Sequence, residues 1–137
     1  MVKVLVSDPI DDEGVEMLRD AGFRVDLRTE ITPEELTEAI DGYDAVVVRS
    51  RTKLTAEVLE KASSLKAIAR AGVGLDNIDT GYAEERDIEI FNSPEAPCSA
   101  VAELVVGLML CMARRLTVAD GTMKQGRWRK TGSQASR

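Results

Sequence analysis

The part of the sequence best suited to chemistry is a glycine-rich run, residues 70–74, that follows an apolar segment. Gly72 and Gly74 come just after residues 65–69, where a strand is predicted to end. Without Cβ atoms, both glycines can adopt positive φ and let a ligand oxygen approach main-chain N–H groups, and Arg70 adds a nearby cation. This glycine run therefore suits an anion. A tight strand-to-helix turn is the alternative that these residues leave open.

A second polar group follows the preceding predicted strand, residues 45–48. This arginine loop offers two guanidinium groups and two hydroxyls, from Arg49, Ser50, Arg51 and Thr52. Such donors match the geometry of a carboxylate or a phosphate. Arginines on loops are also commonly no more than solvated, so ligand binding stays a hypothesis on composition alone.

Apolar and amphipathic segments alternate through the first part of the chain. Five short apolar segments predict strands, at residues 3–7, 23–27, 45–48, 65–69 and 88–91. The alternation predicts an α/β fold, a flavodoxin-like five-stranded parallel sheet in the order 2-1-3-4-5 with helices on both faces. Ligands bind such sheets beyond the carboxyl ends of the strands, where the arginine loop and the glycine run are predicted to lie.

A long C-terminal hydrophobic helix is predicted from about Ser99 to Leu116. Its apolar residues surround most of the helix axis, and they include Val101, Leu104, Val105, Val106, Leu108, Met109, Leu110, Cys111 and Met112. A helix on the surface of one domain needs only a single apolar stripe, so we expect part of this helix to contact another domain or another chain. A homo-oligomer through helix 99–116 is the prediction, and a central helix of a large core is the alternative.

Composition and charge restrict the class of protein. The 137 residues are 44% apolar and 31% charged, as is typical of a soluble globular protein. We predict one domain at residues 1–97, an interface helix at 98–118 and a mobile polar tail at 119–137. The net charge of −6 argues against nucleic acid and membrane surfaces as partners. Neither a leader nor an apolar stretch that could span a bilayer is recognised, so a cytoplasmic location is expected.

Residues for catalysis or metal binding are scarce. The sequence has no histidine and two cysteines, Cys98 and Cys111, that lie far apart on one predicted helix. We therefore predict no metal site and no catalytic residue. The glycine run lacks the third glycine of a G-x-G-x-x-G fingerprint, so no independent NAD site is predicted. Asn77 and Asp79 are predicted to cap the helix that follows.

Several motifs together resemble one family. They are KVLVSD at 3–8, VRSRT at 48–52, RAGVGLDNID at 70–79, NSP at 92–94 and MKQGRW at 123–128. In this order and spacing, the chain resembles the N-terminal substrate-binding domain of D-3-phosphoglycerate dehydrogenases, in the D-isomer-specific 2-hydroxyacid dehydrogenase family. The resemblance implies an NAD-dependent oxidoreductase of serine biosynthesis, with a 2-hydroxyacid such as 3-phosphoglycerate as substrate.

The resemblance also implies roles for residues of the arginine loop. It assigns Arg49, Ser50 and Thr52 to the hydroxyacid pocket, while Arg51 occupies a variable position of the motif. It places Asn92 near the active-site cleft.

For the glycine run, the resemblance implies a clamp on the substrate carboxylate. The main-chain amides of Gly72, Val73 and Gly74 form it, with Arg70 beside them. Val73 also approaches the nicotinamide of NAD in the full enzyme. The resemblance further implies that helix 99–116 lies near the subunit interface of a dimer.

Full members of this family continue into a second domain with the G-x-G-x-x-G fingerprint and a later catalytic Arg, Glu and His. The present sequence contains neither that fingerprint nor a histidine. We therefore expect a truncated chain that is inactive alone and binds no cofactor alone. The alternative is a freestanding or engineered flavodoxin-like module that self-associates through its last helix without catalysis.

Overall fold

Strands and helices alternate along the first part of the chain. The computed structural model describes residues 1–96 and 98–128. Contacts divide the chain into two units, residues 1–96 and 97–137. The strands of the first unit are β1 Lys3–Val6, β2 Arg24–Leu27, β3 Ala45–Val48, β4 Ala67–Arg70 and β5 Glu89–Asn92. Its helices are α1 Asp12–Asp20, α2 Pro33–Ala39, α3 Ala56–Lys61 and α4 Thr80–Glu85, with a 3-10 turn at Ile40–Gly42.

The five strands of residues 1–96 form one parallel sheet in the order β2-β1-β3-β4-β5. The register places Val47 opposite Ala69, and Arg70 opposite Asn92. Because parallel neighbours need a crossover connection, a helix lies between each strand and the next along the chain. The predicted fold class and strand order are therefore confirmed.

Alternating side chains of the strands enter two apolar clusters on opposite faces of the sheet. The larger cluster joins the strands to α2, α3 and α4, and it includes Leu5, Val46, Ile68, Leu36, Leu59 and Ala83. The smaller cluster joins the strands to α1, and it includes Val4, Val6, Val47 and Leu18. Helices thus pack on both faces, as predicted, and the sheet holds its loops at a fixed edge.

Side-chain caps determine where two of the helices begin. The Glu35 amide donates to the Thr32 hydroxyl at 3.3 Å, and the Thr32 amide donates to the Glu35 carboxylate at 3.0 Å. These two bonds form a capping box, and Pro33 occupies the first turn of α2. The Asp79 carboxylate accepts from the Tyr82 amide at 3.0 Å and caps α4, as predicted.

Residues 98–128 contain two helices where the sequence predicts one helix and a tail. They are α5, Cys98–Ala113, and α6, Leu116–Lys124. The predicted helix 99–116 ends earlier because Arg115 has left-handed geometry, with φ of 50° and ψ of 41°. The predicted tail 119–137 is helical as far as Lys124, and residues 129–137 lie outside the described residues.

Most of the large apolar side chains on α5 are exposed. Leu104 is 63% exposed, Met109 64% and Met112 79%. None of the side chains described in α5 and α6 is buried. Across residues 1–96 and 98–128, no helix combines the length and the apolar character needed to cross a membrane.

Candidate functional site

The arginine loop and the glycine run lie side by side at the carboxyl edge of the sheet. The Ala71 amide donates to the Val48 carbonyl at 2.8 Å, which joins the end of β4 to the end of β3. Asn92, at the end of β5, donates from Nδ2 to the Val73 carbonyl at 2.8 Å. The structure therefore brings together predicted site residues from three loops, at the edge where parallel sheets bind ligands.

A buried carboxylate, Asp8, lies beneath the arginine loop and accepts four hydrogen bonds from it. Asp8 is 1% exposed. Its Oδ2 accepts from the amides of Arg49 at 2.6 Å and Thr52 at 3.2 Å. Its Oδ1 accepts from Thr52 Oγ1 and from Arg51 Nε, both at 2.9 Å. Burial alone raises the pKa of Asp8, but the hydrogen bonds from the loop outweigh it and hold the pKa below its usual value.

Arg51 ties the arginine loop to the neighbouring strands. Its Nη2 donates to the Ser7 carbonyl at 2.6 Å and also to the Thr29 carbonyl. Its Nε forms the ion pair with Asp8, and the side chain is 49% exposed. Because β1 ends next to Ser7 and β2 ends near Thr29, this guanidinium bridges the ends of both strands. The variable position of the motif therefore has a structural role.

The other members of the arginine loop differ in exposure. Thr52 is 8% exposed and directs its hydroxyl to Asp8. Arg49 and Ser50 are exposed, and Arg49 Nη1 lies 3.3 Å from the Pro9 carbonyl. Of the three residues predicted here to hold substrate, Arg49 and Ser50 are accessible to a ligand, while the hydroxyl of Thr52 supports the loop from below.

Asn77 also holds the arginine loop. Its Nδ2 donates to the carbonyls of Arg49 and Thr52, both at 2.7 Å. The prediction that Asn77 caps α4 is wrong, since Asp79 alone supplies the side-chain cap. Asn77 Oδ1 is buried and has no hydrogen-bond partner among the described residues. The amide side chain therefore acts as a double donor that joins the segment before α4 to the loop after β3.

Within the glycine run, Gly72 is the position that requires glycine. Its φ is 154°, and a Cβ atom there would lie 1.4 Å from Arg70 Nη1. The Arg70 guanidinium therefore packs over the Gly72 backbone, and its Nε is buried without a partner in the described part of the chain. Gly74 does not adopt positive φ. A Cβ atom at Gly74 would lie 2.8 Å from Asp76 Oδ1.

Two of the three amides predicted to hold a carboxylate are available. The Gly72 amide donates to the Arg70 carbonyl at 2.8 Å, while its carbonyl accepts from the Ser93 amide at 2.9 Å. The amides of Val73 and Gly74 donate to no protein acceptor within the described residues. The Val73 side chain is 43% exposed beside them. This segment is anchored at Gly72 and can donate hydrogen bonds from the next two residues.

Together, the two loops offer donors for an anion. The donors are main-chain amides, the Ser50 hydroxyl and the guanidinium groups of Arg49 and Arg70, and they lie where β3 and β4 end, at one edge of the sheet. The sequence supplies no histidine. Among the described residues, no group of three or more His, Cys, Asp or Glu side chains could hold a metal ion. The arrangement suits binding of an anion more than acid–base chemistry.

A dinucleotide does not fit the segment between β4 and α4. In dinucleotide-binding folds, the pyrophosphate sits on the N-terminus of a helix that begins directly after a strand. Here residues 71–79 separate the strand from the helix, and the Asp79 carboxylate occupies the first turn of α4. A negative side chain at that place competes with a phosphate for the same amides. This segment therefore lacks the direct strand-to-helix turn that holds the pyrophosphate in such folds.

Sequence reasoning did not assign a role to Asp8 and gave Asn77 a different one. The sequence does contain a signal for Asp8, because the Asp-Pro pair follows β1, which the topology places between β2 and β3. A carboxylate at that point borders the loops of both neighbouring strands. For Asn77, the local sequence is equally compatible with a helix cap and with the observed hydrogen bonds to the arginine loop.

Comparison with known proteins identifies a matching family and its members. The family model described as D-isomer specific 2-hydroxyacid dehydrogenase, catalytic domain, matches residues 4–134. A D-3-phosphoglycerate dehydrogenase of Methanocaldococcus jannaschii is 48% identical over 93% of this chain and 24% of its own length. A hydroxypyruvate reductase of Thermotoga maritima is 42% identical over 93% of this chain and 42% of its own length.

A solved structure also matches. It is the 3-phosphoglycerate dehydrogenase of Entamoeba histolytica with bound NAD+, which is 32% identical and has a TM-score of 0.68 over 82% of this chain and 39% of that chain. The present chain thus spans about a quarter of the length of the first relative and less than half of the length of the other two.

Proposed function

Because the chain belongs to the D-isomer-specific 2-hydroxyacid dehydrogenase family, we propose that residues 1–97 are the substrate-binding part of an NAD-dependent, D-3-phosphoglycerate dehydrogenase-like oxidoreductase. The names of the similar proteins support this choice within the family. The substrate is a 2-hydroxyacid such as 3-phosphoglycerate, and this part of the enzyme binds and orients it.

The observation that carries the proposal is the meeting of the two loops at one edge of the sheet. The amides of Val73 and Gly74, which donate to no protein acceptor among the described residues, are available to donate hydrogen bonds to the substrate carboxylate. The exposed guanidinium of Arg49 and the Ser50 hydroxyl offer further donors on the neighbouring loop. Charge-assisted hydrogen bonds of this kind are strong and directional, so they fix the orientation of a small acid.

Arg70 and Thr52 have less direct roles in this proposal. Arg70 packs over Gly72 and adds positive charge close to the available amides. Thr52 acts through Asp8, to which its hydroxyl is directed. Asn92 holds the glycine run by donating to the Val73 carbonyl. These three residues shape the pocket that Arg49 and Ser50 complete.

The cofactor is proposed for the whole enzyme and not for this chain alone. NAD supplies the hydride acceptor when it is bound, and the exposed Val73 side chain supports a position near the nicotinamide. The segment before α4 does not suit a pyrophosphate, because Asp79 occupies the helix start. We therefore expect no NAD binding and no turnover by the 137-residue chain.

Two assays test this proposal. In the first, ¹⁵N NMR of the chain is recorded while 3-phosphoglycerate is added up to tens of millimolar, a range that detects weak binding. Saturable shifts are expected at the amides of Ser50, Val73 and Gly74. Arg49→Gln should weaken binding about tenfold or more, since it removes a charged donor. Arg24→Gln, a charge-matched control at the other edge of the sheet, should have no effect.

Absence of shifts at these amides in the wild-type chain would refute the proposed binding site. In the second assay, the purified chain is mixed with NAD+ and 3-phosphoglycerate, and NADH absorbance is followed. No NADH should form. Turnover by this chain would overturn the proposal that it is inactive alone.

We also propose that the chain self-associates through residues 99–116, most of which form α5. The alternative of a non-catalytic module predicts the same self-association. The exposed apolar side chains of α5 support it, since Leu104 is 63% exposed and Met109 64%. Sedimentation velocity should show dimers or larger species whose fraction grows with concentration. Leu104→Lys should reduce association, whereas Met17→Lys on α1, also exposed at the wild-type residue, should not. A monomer at every concentration would contradict this proposal.

A further inference from the structure

The arginine loop is held by two side chains from distant parts of the chain. Below it, Asp8 Oδ2 accepts from the amides at both ends of the loop, Arg49 and Thr52. In addition, Asn77 Nδ2 donates to the carbonyls of the same two residues. The carboxylate and the amide thus bind complementary backbone groups, so the loop has one well-determined backbone conformation.

The charge of Asp8 is the unexpected part of this arrangement. A carboxylate close to an anion site repels the ligand, and an asparagine would fill nearly the same volume. Both oxygens of Asp8 nevertheless accept hydrogen bonds, because Thr52 Oγ1 and Arg51 Nε donate to the second oxygen. An asparagine at this place would present N–H groups to at least one of these donors and lose that contact. The hydrogen-bond geometry therefore explains better than the charge does why this position holds a carboxylate.

The same contacts decide which arginine remains for a ligand. Arg51 is engaged by Asp8 and by the Ser7 and Thr29 carbonyls. Arg49, whose backbone is fixed by Asp8, keeps its side chain exposed. One guanidinium neutralises the buried carboxylate, and the other is presented at the surface.

We propose that Asp8 is the positioning residue of the anion site: it sets the backbone conformation in which Arg49 and Ser50 face the ligand. The identity of the ligand in this inference rests on the proposed function. Asp8 itself does not contact the ligand and acts through the loop.

The test compares the full chain with Asp8→Asn and with the control Asp41→Asn. Asp41 accepts from the amide and hydroxyl of Ser63 outside the two loops, so its variant makes the same change of charge away from the site. Affinity for 3-phosphoglycerate is measured by NMR titration at a temperature where each variant is folded. Loop amide shifts are recorded without ligand as well.

The positioning role and simple electrostatics predict opposite results. Removing a negative charge near the site should tighten anion binding if charge dominates. If Asp8 positions the loop, and the variant loop adopts the binding conformation about one tenth of the time, affinity should fall about tenfold. Ligand-free shifts of the Arg49 and Thr52 amides should change as well. Asp41→Asn should bind as the wild type does.

Equal or tighter binding by Asp8→Asn would overturn the inference and leave the proposed function standing. Failure of the wild-type chain to bind would refute the proposed function, and the ligand-free amide shifts would then decide on Asp8: unchanged shifts in Asp8→Asn overturn the positioning role.

A milder variant keeps the test decisive if Asp8→Asn does not fold. Thr52→Val keeps the volume and the Asp8–Arg51 ion pair but removes one donor to the carboxylate. We expect the affinity for 3-phosphoglycerate to fall a few-fold. The NMR signal of the Arg49 amide, which donates to the same carboxylate, should shift as well. Wild-type affinity and an unmoved Arg49 amide would overturn the inference.

Discussion

Replacement of Gly72 by alanine gives a quantitative test of how the glycine run is built. The backbone at this residue has φ of 154°, and a Cβ atom would lie 1.4 Å from Arg70 Nη1 and 2.6 Å from Cζ. Two separate costs follow, one from the backbone and one from the displaced guanidinium. The free energy of unfolding should fall by the sum of both.

The size of each cost can be estimated. An alanine held in a region that L-residues avoid costs about 1–3 kcal/mol. The Arg70 guanidinium is the far end of a flexible side chain, so it can move, but it leaves its packed position at a cost of about 1 kcal/mol. We therefore expect Gly72→Ala to lose about 2–4 kcal/mol. For a unit the size of residues 1–96, this corresponds to a fall in Tm of roughly 10 °C or more.

Urea unfolding followed by circular dichroism measures this loss, and two other glycines separate its parts. Gly22 has φ of 84° with nothing within 4 Å of an added Cβ, so Gly22→Ala should report backbone strain alone. Gly74→Ala should report steric contact alone, since its Cβ would lie 2.8 Å from Asp76 Oδ1 without positive φ. Gly72→Ala should be the most destabilising of the three.

The double variant Arg70→Ala with Gly72→Ala tests the steric part directly. Removing the guanidinium should recover about 1 kcal/mol relative to the sum of the single variants, as expected for residues in contact. Additive losses, or a Gly72→Ala chain as stable as the wild type, would refute the packing of Arg70 over Gly72.

Three further predictions concern stability. The pKa of Asp8 in the folded chain is lowered from its usual 3.8. The ionised carboxylate therefore stabilises the fold above that value, and this stabilisation is lost as the pH falls through the folded pKa. Acid unfolding should show a weaker pH dependence in Asp8→Asn, and an unchanged dependence would contradict this. Asn77→Asp turns a double donor into an acceptor that faces two carbonyls, so the free energy of unfolding in urea should fall by about 3 kcal/mol. This loss should exceed the loss in Asn77→Ala, and the reverse order would disprove the contact. Thr32→Ala removes a helix cap and should cost about 1 kcal/mol in the same assay, whereas Thr37→Ala within α2 should stay within about 0.5 kcal/mol, and equal losses would count against the capping box.

The sheet could be predicted from the sequence because its signals are local. Each strand is a short apolar run, and the capping box at Thr32 and the cap at Asp79 are formed by residues close in sequence. Alternation of strands and helices then restricts the sheet to very few topologies. The placement of the arginine loop and the glycine run at the carboxyl edge follows from that strand order alone.

The support of the arginine loop could not be predicted in the same way. Asp8 and Thr52 are 44 positions apart, and Asn77 lies 28 positions from Arg49. Their contacts depend on which strands become neighbours and on the side-chain directions that result. Asp11 and Asp12 are also close to the end of β1, and local sequence does not tell which carboxylate becomes buried. The end of α5 was missed for a related reason, since a left-handed arginine at Arg115 has no local signal.

The strand order has a consequence for how the chain assembles during synthesis. Each strand pairs with one that has already been made: β2 with β1, then β3 with the free side of β1, then β4 and β5 outward. No strand has to enter between two others, so the sheet can grow as the chain emerges. Asp8 follows β1 and its donors follow β3, so its carboxylate stays hydrated until these two strands pair. The pairing of β1 with β3 then brings the donors of the arginine loop to Asp8, before β4 adds the glycine run.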